Sequence, residues 1–142
     1  MVLRKLPGMG PGRPPSILLV EDYEDAREMY AEMFRLTGYR VVCARDGQEA
    51  LDRASAERFD VIVMDVALPK VDGIRAIQTL RSSPETKATI IIALSATVGD
   101  QIHAAAIAAG ADMFCEKPCP PDYLEAEVRK LLARRAGDDY QR

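Results

Sequence analysis

Five times in succession a short apolar run is followed by a stretch in which apolar residues recur at helical spacing, and this alternation restricts the fold more than any other property of the chain. The first run is Ile17 to Val20. Behind it, Asp25 to Thr37 sets Ala26, Met29, Tyr30, Met33, Phe34 and Leu36 on one helical face. Gly38 then supplies a C-terminal stop. Tyr39 to Ala44 reads as a second strand, and Asp46 as the cap of a second helix with Ala50, Leu51 and Ala54 on its apolar face. Phe59 to Val66 is a third strand. A Pro- and Gly-bearing loop, Leu68 to Gly73, leads into a third helix carrying Ile74, Ile77 and Leu80, which Ser83-Pro84 ends. Thr89 to Ser95 is a fourth strand, and the Ala-rich helix Gln101 to Ala109 is stopped by Gly110. Met113 to Glu116 is a fifth strand, followed by a helix from Asp122 to Ala133 with Leu124, Val128, Leu131 and Leu132.

Strands that are apolar along their whole length need helices on both faces of the sheet. The fold class is therefore α/β, a parallel, doubly wound sheet with five helices. At 142 residues the chain fits one domain, expected over residues 16–133. Residues 1–15, rich in Pro and Gly, read as a flexible tail, and residues 134–142 as a polar C-terminal tail. Hydrophobic residues at 48% suffice for a core, and the formal net charge of −3 argues against a general nucleic-acid binder. No apolar run reaches the roughly 18 residues of a membrane span, and the N-terminus lacks a secretory h-region, so a cytoplasmic location is expected. Cys43, Cys115 and Cys119 are odd in number and complete no zinc site, so they read as structural, Cys43 and Cys115 as small hydrophobes in strands.

In open parallel sheets, ligands bind beyond the carboxyl ends of the strands. Those ends carry Glu21 and Asp22, Asp65, Ser95 and Ala96, and Lys117-Pro118. If strands one, three, four and five lie side by side, three carboxylates, a hydroxyl and an ammonium converge. Each like-charge pair costs roughly 4 kcal/mol at about 4 Å and an effective dielectric of about 20. A hard divalent cation relieves that cost, and oxygen donors without His or Cys favour Mg²⁺, with Mn²⁺ also admitted. With no His at a strand end, a Ser-His-Asp triad has no base. A carboxylate can itself attack phosphorus and form an aspartyl-phosphate, with the cation and Lys117 neutralising the transferring oxygens.

The segments ILLVEDYED (Ile17 to Asp25), DVIVMDVALPKVDG (Asp60 to Gly73), IIIALSA (Ile90 to Ala96), AAGAD (Ala108 to Asp112) and EKP (Glu116 to Pro118) together resemble the response regulator receiver family. The resemblance covers about Ser16 to Ala133. It implies a flavodoxin-like sheet of order 2-1-3-4-5, with Asp65 as phosphoacceptor. It implies Mg²⁺ held by Asp22 and Asp65, by Glu21 through water, and by the backbone carbonyl of Ala67. Lys117 falls on the family's lysine, in a cis Lys117-Pro118 peptide, Ser95 on its hydroxyl position and Phe114 on its aromatic switch position. Ala67 and Thr97 stand at positions that in the family tune access of water to the acyl phosphate, Ala67 replacing a larger or polar residue, and Cys119 stands where an aromatic is frequent.

The resemblance further implies a phosphorelay role. A histidine kinase or histidine phosphotransfer protein would be the donor, and a protein target would read the face of helix four, strand five and helix five. It implies a monomer or a phosphorylation-dependent dimer, no direct nucleic-acid contact, no membrane insertion, and no enzymatic turnover of an external substrate. A haloacid-dehalogenase-type phosphatase would need a second Asp where Ala67 stands. A flavin mononucleotide binder would need a phosphate loop where EDYED would repel phosphate. A receiver-like interaction module that is never phosphorylated is the remaining alternative. His103 reads as a solvated or packed histidine, apart from the strand ends.

Overall fold

The computed structural model describes residues 13–67, 72–97 and 99–140. Ten elements alternate: β1 (Ser16–Val20), α1 (Glu24–Leu36), β2 (Arg40–Ala44), α2 (Gly47–Ala56), β3 (Val61–Asp65), α3 (Gly73–Ser82), β4 (Ile90–Ser95), α4 (Asp100–Ala109), β5 (Met113–Glu116) and α5 (Pro121–Tyr140). The strands form one parallel sheet of order β2-β1-β3-β4-β5, the expected doubly wound arrangement.

Alternate residues of each central strand feed two cores. Ile17, Leu19, Val61, Val63, Ile92 and Leu94 pack with Tyr30 and Phe34 of α1 and with Leu124, Val128 and Leu132 of α5. Leu18, Val20, Ile62, Met64, Ile91 and Ala93 pack with α2, α3 and α4 through Ala50, Ile77 and Ala106. This two-sided burial is the reason these strands are apolar throughout.

The helix ends follow their local sequence. Asp46 accepts the Glu49 N–H at 2.8 Å, and Asp72 accepts the Arg75 N–H at 2.9 Å. Gly38, at φ 105°, closes α1: its N–H donates to the Arg35 carbonyl, and the Tyr39 N–H donates to that of Phe34. The Phe34 and Tyr39 rings meet edge to face at 5.5 Å, the apolar contact that accompanies such a stop. Gly110, at φ 121°, ends α4 in the same way. Arg81, at the end of α3, ties that lower corner together. It donates to the carbonyls of Gly110 at 2.7 Å, Lys87 at 2.9 Å and Thr89, and to the Asp112 carboxylate at 2.8 Å. The upper end of α4 starts at Gly99 with no side-chain cap.

The C-terminal boundary differs from the sequence expectation. Helix α5 does not stop at Ala133 but runs to Tyr140, so most of the supposed polar tail is helical. Arg135 donates to the Asp60 carboxylate at 3.1 Å and to the Asp60 carbonyl at 3.3 Å, which fastens the added turns to the foot of β3. Polar composition concealed this because Arg and Ala are strong helix formers even without an apolar face. Of the N-terminal tail, residues 1–12 lie outside the described residues, as do residues 68–71 of the expected loop and residues 141–142. The Pro15 carbonyl accepts the Arg40 N–H at 2.9 Å and so belongs to the sheet edge.

Asp60 also accepts the Ser16 N–H at 2.9 Å, so one carboxylate joins the starts of β1 and β3 to α5. Asp60→Ala should destabilise the protein by about 1–3 kcal/mol, the cost of leaving such donors unpaired. The midpoint of urea denaturation measures this, and an unchanged midpoint would dismiss the clamp.

Candidate functional site

The register of the sheet levels the acidic residues. Val20 pairs with Met64, so Glu21 and Asp65, each one residue further on, lie side by side at the carboxyl edge. Ser95 pairs with Glu116, which brings Lys117 to the same edge. The carboxylates of Glu21, Asp22 and Asp65 each offer an oxygen within 4.8 Å of the others. Lys117 Nζ donates to Glu21 Oε1 and, at 3.0 Å, to Asp65 Oδ2. The Lys117-Pro118 peptide is cis.

Glu21 is 1% exposed. Its Oε2 is buried and meets no hydrogen-bond donor among the described residues. Burial first, and then the hydrogen bond and charge of Asp65, raise the Glu21 carboxyl to about 7 against the partial relief from Lys117. Burial would lower the ammonium of Lys117, but Glu21 and Asp65 outweigh it and hold the proton more tightly than usual. An orphaned buried carboxylate oxygen inside an all-oxygen donor set fits a hard divalent cation such as Mg²⁺. Asp22 is exposed and leaves its carboxylate free of helix capping: α1 is capped by the Tyr23 position, with no side-chain bond. Arg27 holds this acidic turn from behind, donating to the Glu21 carbonyl at 3.0 Å and to that of Asp22 at 3.4 Å.

Asp65 Oδ1 accepts the Ala67 N–H at 2.9 Å, which places Ala67 in the site. Ser95 is fully buried. Its Oγ accepts the Thr97 N–H at 3.0 Å, and its carbonyl accepts the Lys117 N–H at 2.8 Å. Phe114 stands apart from the acidic cluster, half-buried on β5, where it stacks on His103 of α4 with ring centroids 4.8 Å apart.

Three contributions escaped the sequence reading. Gly73 is pressed against the site strand: a Cβ there would sit 2.4 Å from Val66 Cα and 2.5 Å from the Asp65 carbonyl oxygen. A glycine eight residues after an acid marks that approach, although the spacing alone gives no distance. Tyr30 donates its hydroxyl to the Cys119 carbonyl at 2.7 Å and so steadies the turn after Lys117. Asp112, in the AAGAD segment, is structural: it accepts the Ile91 N–H at 2.9 Å besides its pairing with Arg81.

Residues 17–129 match the family described as the response regulator receiver domain. The response regulator MprA of Mycolicibacterium vanbaalenii is 35% identical over 126 residues, which are 89% of this chain and 54% of that protein. The response regulator MprA of Mycobacterium avium is 34% identical over 123 residues, 87% of this chain and 53% of that protein. The chain thus spans about half the length of these curated relatives. Among solved structures, chemotaxis protein CheY4 of Vibrio cholerae superimposes with a TM-score of 0.79 at 30% identity, covering 83% of this chain and 98% of that one. The receiver domain of a sensor histidine kinase from Pseudomonas aeruginosa, solved with a magnesium ion coordinated in its active site cleft, gives a TM-score of 0.76 at 33% identity, covering 88% and 99%.

Two outcomes follow from the geometry. With divalent ions chelated, folded Glu21 keeps its proton up to about pH 7, whereas the unfolded chain releases it near 4.5. The folded state then binds more protons than the unfolded one, so stability falls as pH rises through that window. Urea titrations should show this decline flattened in Glu21→Gln; equal slopes in both proteins would acquit Glu21. Gly73→Ala should cost about 1–3 kcal/mol by forcing α3 away from β3, readable as a drop in Tm.

Proposed function

Since the chain belongs to the response regulator receiver family, we propose that Asp65 accepts a phosphoryl group from a partner histidine kinase or histidine phosphotransfer protein and thereby switches what the domain binds. Receiver domains are signalling modules of two-component systems. The observation that carries the specific reading is the contact of Lys117 with Asp65 at 3.0 Å, beside an acidic cluster containing an orphaned oxygen of Glu21.

The residues that would hold Mg²⁺, or Mn²⁺ in its place, are Asp22, Asp65 and the Ala67 carbonyl, with Glu21 through water. When bound, the cation neutralises charge on the transferring phosphoryl oxygens. An oxygen of Asp65 attacks phosphorus, the P–N bond of the donor phosphohistidine breaks, and its electron pair returns to the imidazole. Lys117 passes its ammonium from the Asp65 carboxylate to a phosphoryl oxygen. Ser95 Oγ accepts from the Thr97 N–H, which leaves its own proton to donate to the phosphoryl group.

Occupancy at Asp65 then shifts an equilibrium between two conformations. Ser95 and Phe114 carry the shift to the face of α4, β5 and α5, where Ile107 and Tyr123 are exposed apolar groups for a target protein. The only group turned over is the acyl phosphate on Asp65, so the domain acts on no external substrate. It works in the cytoplasm, as a monomer or a phosphorylation-dependent dimer, without contacting nucleic acid. No described helix is long and apolar enough to cross a membrane.

Incubation with Mg²⁺ and a small acyl phosphate should add one phosphoryl group by intact mass. Chelation or Asp65→Asn should abolish the gain, and Lys117→Ala should slow it by about 10²-fold, the scale of losing one transition-state donor. Labelling that survives in Asp65→Asn sinks the assignment. No labelling of the native protein favours the module that is never phosphorylated.

A further inference from the structure

We propose that Cys115 and Cys119 form a peroxide-responsive dithiol that closes into an intrachain disulfide around Lys117. The two sulfurs lie 2.7 Å apart, well inside ordinary contact for two thiols, and both residues are buried. A disulfide draws its sulfurs to about 2.05 Å, so little movement separates the reduced pair from the bonded one. Cys115 is the third residue of β5, on the core face shared with α1 and α5, and Cys119 follows two residues after Lys117. The remaining cysteine, Cys43, sits on β2, the opposite edge strand. Four strand spacings of about 4.8 Å place it roughly 19 Å away, out of reach of the pair.

Burial selects the oxidant. A bulky disulfide cannot approach two sulfurs on residues only 9% and 3% exposed, so the oxidant proposed is a small peroxide. The Cys115 thiolate attacks the peroxide, breaking the O–O bond to give a sulfenic acid and hydroxide. The Cys119 sulfur then displaces the sulfenic hydroxyl, forming the S–S bond and releasing water, with the Cys119 proton completing that water. Burial, followed by the hydrogen bond and charge of Cys115, raises the Cys119 thiol to about 12. A thiol held up in this way gains nucleophilic thiolate as pH rises, so closure accelerates with pH.

The bond would lie across the residue that reaches both Glu21 and Asp65. A closed ring from Cys115 to Cys119 limits excursions of the Lys117 backbone, whose N–H donates to the Ser95 carbonyl at 2.8 Å. This clamp requires neither phosphorylation nor a bound cation, so it stands or falls separately from the role of Asp65.

The test treats the full chain with hydrogen peroxide, alkylates it under denaturing conditions and weighs it. Reduced protein should take three labels, one per cysteine. Oxidised protein should take one, at Cys43, and its peptide containing Cys115 and Cys119 should lack two hydrogens. A reductant should restore all three labels. Cys115→Ser and Cys119→Ser should each prevent closure, and should either variant fail to fold, the wild-type peptide map decides by itself. Amide exchange at Lys117 should slow several-fold on oxidation. Three labels after peroxide, a sulfinic acid at Cys115 in place of the bond, a cross-link to Cys43, or unchanged exchange at Lys117 would each overturn the proposal.

Discussion

Two buried carboxylates share one ammonium, and the upper edge of the molecule is arranged around that sharing. Lys117 leaves β5 and reaches Glu21 beyond β1 and Asp65 at the end of β3. One ammonium therefore ties together the ends of β1, β3 and β5. The attraction outweighs the burial that would otherwise loosen the lysine's hold on its proton. Among the described residues Lys117 is the cation bonded to this cluster of three acids, and Glu21, through its burial first and Asp65 second, keeps a raised carboxyl pKa. Removing the lysine would leave charges in a low-dielectric pocket, where an unpaired ion costs far more than at the surface.

Geometry delivers this arrangement because every strand runs the same way. Parallel pairing sends all carboxyl ends to one side, and the register puts Glu21 level with Asp65 and Glu116 level with Ser95. The scaffold below is apolar and filled from both faces, so the strand ends have few ways to shift. Gly73 adds a local constraint, since α3 begins in backbone contact with Asp65. The rigid parts of the fold thus meet at Asp65.

Much of this was legible in the sequence. Continuous apolar runs disclosed the strands, and an acid ending such a run, at Asp65, disclosed the acidic edge. The strand order came from the family resemblance, because periodicity reports which residues are buried and not which strands adjoin. For the same reason the stack of His103 on Phe114 was invisible: the two lie on different elements, and nothing in their spacing fixes the distance between them. The contact of Cys115 with Cys119 depends on a turn whose path no pattern announces. The length of α5 was hidden differently, because Arg135 gains its hold from Asp60, 75 residues away in sequence.

The unequal fastening of α4 gives that helix the properties of a lever. Its Gly110 end is pinned by Arg81, while its Gly99 end has no side-chain latch and adjoins the loop that follows Ser95. Ten residues at about 1.5 Å each make an arm of roughly 15 Å, so a swing of only about 4° moves the free end by about 1 Å. Force applied beside Ser95 acts at the full length of that arm, whereas force at Gly110 acts on the pivot. His103 and Phe114 ride partway along, so their stack would shear by only a fraction of the tip's travel. A displacement the size of a hydrogen-bond adjustment at the free end would thus be enough to tilt the surface that α4 presents.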